Sequence, residues 1–295
     1  MSAGAADTRS GPRVVALGGG HGLAASLRAV RRYAADITAI VSVADDGGSS
    51  GRLREAFGIA APGDLRRCLV ALADDGSVWA RVFEHRFDSG ELEGHPVGNL
   101  VIAGLASALG DFNLALDEAG RLLGAVGRVL PATSVPVVLK AEAADGPVEG
   151  QVRVSATSRI SGVGLVPPDA APPPEVLRAI AGADQVVVGP GSLFTSVLAV
   201  VAVPAIRQAL ESTRARTVYV ANLRPQVPET DGFDVAAHVA ALVSHGFHPD
   251  VVLRDPTALP LGDVDVDWVD APLAADDGVG HDPARLAAAL MKLLG

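Results

Sequence analysis

The chain has 295 residues, 49% of them hydrophobic and 4% aromatic, with a formal net charge of −10. That length is large for one core but within reach of one large α/β domain; the charge argues against a nucleic-acid or anionic-membrane surface, and the few aromatics against base-stacking platforms. Cys68 is the only cysteine, which excludes an intrachain disulfide and a cysteine-based zinc cluster.

Residues 1–12 read as a disordered tail, and 13–295 as a single domain. The opening "MSAGAADTRSGPR" has no basic-then-apolar signal pattern. The apolar runs farther on break well before the roughly 20 residues of a membrane helix. A cytoplasmic location without membrane insertion is therefore expected. "RVVAL" predicts a buried strand. "LAASLRAVRRYA" predicts a helix with Leu23, Leu27 and Val30 on one face. "ITAIVSV" predicts a second buried strand, so the start reads as a right-handed βαβ unit. From 64 to about 124 the text is helical, through "GDLRRCLVALA", "SVWARVFEHRF", "VGNLVIAGLASAL" and "NLALDEAGRLLGAV". Between 129 and 155 it predicts strands, "VPVVLKAEA" and "VEGQVRVSA", with a hairpin signal at "ADGP". A proline-rich loop, a helix at "EVLRAIAGA" and a buried strand at "QVVVG" follow. "PGSLFTSVLAVVAVPAIRQAL" is helical with a break at Pro204, "RTVYVANL" is a strand, and a helix at 234–245, a strand at "DVVLRD" and a last helix complete the alternation. Alternating strands and helices predict a Rossmann-like, mainly parallel sheet with helices on both faces, elaborated by the helical block after the second strand.

Parallel sheets bind ligands beyond the carboxyl ends of their strands. Four such ends carry unusual loops here: "GGGHG", "ADDGGSSGR", "GPGS" and "NLRPQVPET". Gly18, Gly19, Gly20 and Gly22, with His21 among them, open a helix whose free amides suit an anion such as phosphate; a tight strand-to-helix turn is the alternative. Gly20, Gly22 and Ala25 also fit the loose G-x-G-x-x-A fingerprint of dinucleotide sites, with Asp45 downstream. Asp45 and Asp46 end a buried strand, where they could hold Mg²⁺ beside a diphosphate or simply stabilise the turn. Gly47 and Gly48 precede Ser49 and Ser50, whose hydroxyls read as an N-cap or as phosphate contacts. Asp64 lies near a helix start, and Arg66 or Arg67 could clamp phosphate. His95 and Asn99 sit on a loop leading into an apolar helix, in a functional or a packing role. Gly189, Pro190, Gly191 and Ser192 form a nest of backbone donors, and Asn222 opens the fourth loop. No Ser–His–Asp order, paired catalytic carboxylates or histidine metal spacing is present, so no catalytic residue is assigned.

Read together, "GGGHG", "ADDGGSSGRLR", "PGDLRR", "FEHRF", "GHPVGNL", "GDF", "GPGSLFTSVL" and "NLRPQVPETDGF" come in the order and spacing of the YvcK-type gluconeogenesis factors of the CofD-like superfamily, which the chain resembles. The resemblance runs from about residue 13 to 254. It implies a non-catalytic regulatory protein that binds UDP-sugars, notably UDP-N-acetylglucosamine, and acts in central carbon metabolism and cell-wall morphogenesis. Carried over by position, the glycine loop, Asp45, Asp46 and the Gly189–Ser192 nest would line the nucleotide site. The partner expected is thus a UDP-sugar or related nucleotide diphosphate, with Mg²⁺ the one candidate cofactor and a homo-oligomer left open. The second reading is a CofD-type, Mg²⁺-dependent transferase joining a phospholactyl-type group to a deazaflavin. A nicotinamide oxidoreductase is the third, resting on the loose fingerprint alone. The chain departs from the YvcK pattern at Arg67, Phe194 and Pro228, where asparagine, tyrosine and glycine are common.

Overall fold

The computed structural model describes residues 11–74 and 76–294. Residues 1–10 of the expected tail lie outside the described residues, and the carbonyl of Pro12 already accepts a hydrogen bond from the Ala35 amide at 2.9 Å.

Strand β1 (Arg13–Gly18) runs into α1 (Gly20–Val30) and returns as β2 (Asp36–Val41). Both strands are almost wholly buried, because helices cover both faces of a parallel sheet. The helical block follows as α2 (Gly48–Phe57), α3 (Pro62–Leu72), α4 (Val78–Glu84), α5 (Val97–Leu109) and α6 (Phe112–Leu123). Strand β3 (Arg128–Pro131) then pairs in parallel with β2. A small excursion follows: β4 (Val138–Ala143), β5 (Gly146–Glu149), the short helix α7 (Gln151–Ser155) and β6 (Ile160–Val166). Next come α8 (Pro174–Gly182) and β7 (Gln185–Val188), then a π-helical turn (Leu193–Val197) continuing as α9 (Leu198–Val201), and α10 (Pro204–Ser212). Strand β8 (Arg216–Val220), α11 (Val235–Ser244), β9 (Val251–Arg254), β10 (Trp268–Asp270) and α12 (Pro283–Met291) complete the chain. The seven-stranded sheet has the order β10-β9-β8-β7-β1-β2-β3, with every pairing parallel. The expected fold class is thus observed. The chain builds outward from β1 in one direction and returns to build from β7 in the other. The strand order reverses between β1 and β7, and that switch point is where such sheets open a crevice.

Several local expectations are corrected. "QVRVS" is not a strand but helix α7; its alternating valines imitate a two-residue period. The hairpin is β4 with β5, and β4 pairs on its other edge with β6. The pattern of the sequence predicts neither β6 nor the three-residue β10. Ser49 and Ser50 lie inside the first turn of α2, with Gly47 at the N-cap. The run 193–212 breaks as expected before Pro204, into two helices bent by 75°. Among the described residues no single helix is long and apolar enough to cross a membrane. One continuous buried cluster joins sheet residues such as Val15, Val187 and Val218 to Leu69, Phe83 and Ile102 of the helical block.

Candidate functional site

At the switch point the glycine run of the β1–α1 loop meets the loop after β7. A Cβ on Gly22 would lie 2.2 Å from the Pro190 carbonyl oxygen and 2.7 Å from Gly191 Cα. A Cβ on Gly19 would lie 2.7 Å from Asp64 Oδ2 and 3.0 Å from Ser196 Oγ. These two glycines are therefore required first by the protein's own close packing.

The packed loops leave a cavity of about 330 Å³, floored by Gly19, Gly20, His21 and Gly22 at the start of α1. A helix start presents unbonded amides and a partial positive charge. One of these amides is already used: Gly20 N–H donates to Asp64 Oδ2 at 2.7 Å. Asp64 in turn accepts from Arg67 Nη1 at 2.6 Å, a pair formed one helical turn apart on α3. Asp45, in the loop four residues beyond the end of β2, faces the same cavity. Burial pushes the Asp64 carboxyl above its ordinary range; Arg67 opposes the shift and the nearby charge of Asp45 adds to it. The wall is completed by Gln151 of α7, by Gly191, Ser192 and Ser196, and by Gln226 of the loop after β8. Of the two arginines weighed as a phosphate clamp, Arg67 is the one in the cavity wall, and Gln151, Ser196 and Gln226 extend the set expected from sequence.

The nest after β7 is largely occupied from within. Gly191 N–H donates to Asn222 Oδ1 at 2.9 Å, and Asn222 Nδ2 donates back to the Gly191 carbonyl at 2.9 Å. The amides of Phe194 and Thr195 both donate to Glu229, at 2.7 and 3.2 Å, and Thr195 Oγ1 adds a third bond. Glu229 is 4% exposed and its carboxyl is pushed up by burial, against the pull of those donors. The second helix start thus carries an internal anion. Asn222 shapes the loop, and Gly189 and Pro190 form its packed back. The Gly189 carbonyl accepts from Ser26 Oγ at 2.6 Å.

Other expected residues lie outside the cavity. Asp46 turns away: its Oδ1 accepts from Val152 N–H at 3.0 Å and so caps α7. Asp45 Oδ1 accepts from Gly47 N–H at 2.9 Å. The two aspartates therefore do not converge on one ion, and among the described residues no group of three His, Cys, Asp or Glu could hold a metal. The carboxylates that share the cavity are Asp45 and Asp64. Ser49, His95 and Asn99 form a buried cluster between α2 and α5, with Ser49 Oγ 2.8 Å from His95 Nδ1 and Asn99 Nδ2 donating to Ser49 Oγ at 3.1 Å. Ser50 packs over Gly63, where a Cβ would come within 2.4 Å of its Oγ. Gly47 and Gly48 start α2 beside Asp46. Arg66 is buried and donates to the Phe83 carbonyl at 3.3 Å, so the arginine that reaches the crevice is Arg67. The apolar stripe of α3 carried the signal, because Arg66 lies three residues before Leu69 on the buried side.

A parallel sheet with a crevice at its switch point, entered by a glycine loop and faced by carboxylates, is the architecture of a doubly wound α/β protein with a ligand-binding edge. The chain belongs to the CofD family: the family model described as "2-phospho-L-lactate transferase CofD" matches residues 14–280. Its relatives include a Mycobacterium leprae protein named "Putative gluconeogenesis factor", 44% identical over 95% of this chain and 86% of that protein. The "Gluconeogenesis factor" of Bacillus subtilis is 43% identical over 79% of this chain and 75% of its own length. The crystal structure of a UPF0052 family member from Bacillus halodurans superposes with a TM-score of 0.89 at 36% identity, covering 96% of this chain and 99% of that one. The resemblance read from the motifs is borne out.

Proposed function

We propose that this chain is a regulatory protein of the cytoplasm that binds a nucleotide sugar of the UDP-N-acetylglucosamine type and links central carbon metabolism to cell-wall morphogenesis. The observation that carries the reading is the cavity at the β1–β7 switch point, where the start of α1 and Arg67 face a common space. His21 and Gly22 amides at a helix start suit a diphosphate. The volume of about 330 Å³ is at the lower end of ligand sites, so the sugar extends past the cavity mouth. Asp45 and Asp64 would repel a bare diphosphate, and they fit Mg²⁺, which uses one or two carboxylates together with ligand phosphates. Bound there, Mg²⁺ would offset the charge between carboxylate and diphosphate. The names of the relatives supply the metabolic context.

A second reading, a Mg²⁺-dependent transferase acting on a deazaflavin, draws on the printed description of the family model and on the same carboxylate pair. Calorimetric titration with UDP-N-acetylglucosamine, GDP and a deazaflavin, each with Mg²⁺ or chelator, separates the two. Binding of the UDP-sugar without turnover supports the regulatory reading; binding of GDP and deazaflavin alone supports the transferase.

A further inference from the structure

His95 and Asn99 stand out in the sequence, and neither lines the cavity at the switch point. Their buried cluster has a fixed sense of hydrogen bonding. Asn99 Nδ2 donates to Ser49 Oγ at 3.1 Å, and Ser49 Oγ lies 2.8 Å from His95 Nδ1. Ser49 is buried and its hydroxyl meets no other acceptor among the described residues, so its O–H donates to Nδ1. The ring proton is thereby placed on Nε2. His95 is only 8% exposed, yet Nε2, which has no partner in the protein, keeps contact with solvent.

Two guanidinium groups are pinned to the same turn. The loop between α4 and α5 closes on itself, with Gly94 N–H donating to the Phe87 carbonyl at 2.9 Å and Phe87 N–H to the His95 carbonyl at 3.2 Å. Arg52 of α2 donates through Nη2 to the Glu93 carbonyl at 3.0 Å, and Arg86 donates through Nη1 to the Gly94 carbonyl. Gly94 has a φ of +78°, and a Cβ there would lie 3.3 Å from Arg52 Nη2, so glycine suits both the turn and the close approach of the guanidinium. Both arginines are exposed, and neither forms an ion pair with a carboxylate among the described residues. Burial, and then the charges of Arg52 and Arg86, hold the His95 pKa below the ordinary histidine value, and no carboxylate offsets them. In a chain of net charge −10 this turn is a local centre of positive charge. The carbonyl bonds fix the two forks and leave their remaining N–H groups unused. Charged donors held in place without a carboxylate suit an anion with several oxygens.

We propose that this turn is a second ligand site, in which His95 Nε2–H, Arg52 and Arg86 bind a phosphate group, free or as the ester of a small molecule. Ser49 and Asn99 are positioning residues that act through the imidazole. The site stands independently of the nucleotide reading above.

The probes are inorganic phosphate and glycerol 3-phosphate, titrated at constant ionic strength against chloride, with NMR of the histidine ring C–H groups as the readout. The His95 signal is identified by its loss in His95→Gln. Wild type should show a saturable shift of that signal with phosphate and none with chloride. Its midpoint should rise at least about tenfold in Arg52→Gln and in Arg86→Gln, and stay in place in Arg67→Gln. Arg52 and Arg86 are exposed, and the other histidine signals show that the fold persists in each variant. A lower midpoint for glycerol 3-phosphate assigns an ester ligand and a lower one for inorganic phosphate the free ion; either supports the site. No shift, an equal shift with chloride, or a midpoint that moves with Arg67 and not with Arg52 and Arg86 overturns the proposal, the last by placing the phosphate in the switch-point cavity.

Discussion

Gly22→Ala should destabilise the protein even though alanine is the better helix former. Gly22 lies in the first turn of α1, and its replacement by alanine in an open helix gains at most about 1 kcal/mol. Here the new Cβ would stand 2.2 Å from the Pro190 carbonyl oxygen, 2.6 Å from its carbon and 2.7 Å from Gly191 Cα. All three are backbone atoms, which no rotamer change can move aside. Overpacking of this kind costs about 1–3 kcal/mol, and contacts this short belong at the upper end. The net loss is about 2 kcal/mol, a fall in Tm of about 3 °C for a chain of this size. Gly104 is the internal control, because it lies mid-way along α5 and a Cβ there would meet nothing within 4 Å. Gly104→Ala should raise Tm by about 1–2 °C. Scanning calorimetry of the two variants beside wild type gives both numbers. A Gly22→Ala protein that melts higher than wild type, as Gly104→Ala should, would refute the packing of the two loops.

Asp45→Asn should weaken nucleotide-sugar binding and reduce its Mg²⁺ dependence, whereas Asp46→Asn should leave affinity unchanged and loosen only the cap of α7; parallel titrations with and without chelator check both. Burial holds the Asp64 carboxyl above its ordinary value, so the folded state binds the proton more tightly than the unfolded one, and this group's contribution to wild-type stability falls as pH rises from the ordinary carboxylate value through the raised one. Asp64→Asn should remove that pH dependence, as denaturant titration of both proteins across pH will show. Asp255 has the opposite sign. Burial opposes its ionisation, but its carboxylate accepts from Thr257 N–H and Oγ1 and from the Leu273 and Ala274 amides, and the net effect holds its pKa below the ordinary 3.8. Asp255→Asn should therefore cost about 1–3 kcal/mol at pH 7, a gap that closes as pH falls below that value, seen by denaturant titration across pH.

The framework of the fold is legible because buried parallel strands announce themselves as short apolar runs. "RVVAL", "ITAIV", "QVVV" and "RTVYV" are all strands of one sheet, and the glycine loop falls at the switch point. Elements whose stability comes from partners distant in sequence are harder to read. Helix α7 carries a strand-like valine alternation and is capped by Asp46, 106 residues away. Strand β6 is interrupted by Gly162 and Gly164, and its pairing with β4 defines it. The site follows the same division. The glycine loop and Asp64 are visible as motifs, but a motif does not say which donors are already used. Asn222 reads as a ligand contact until its amide is seen on Gly191, and the Gly189–Ser192 nest reads as a phosphate site until Gly191 N–H is seen on Asn222 and the next amides, of Phe194 and Thr195, on Glu229. Adjacent arginines on α3 point about 100° apart, so Arg66 enters the core and Arg67 the crevice.

The central claim is that the crevice between the ends of β1 and β7 holds a nucleotide diphosphate. A crystal structure of the protein soaked with UDP-N-acetylglucosamine and Mg²⁺ tests it most directly. Density for the diphosphate is expected against the amides of His21 and Gly22 and within reach of Arg67, with the ion between it and Asp45 or Asp64. Ligand density placed instead in the groove at the opposite, amino-terminal ends of the strands, beside Arg214 and Arg216, would contradict it.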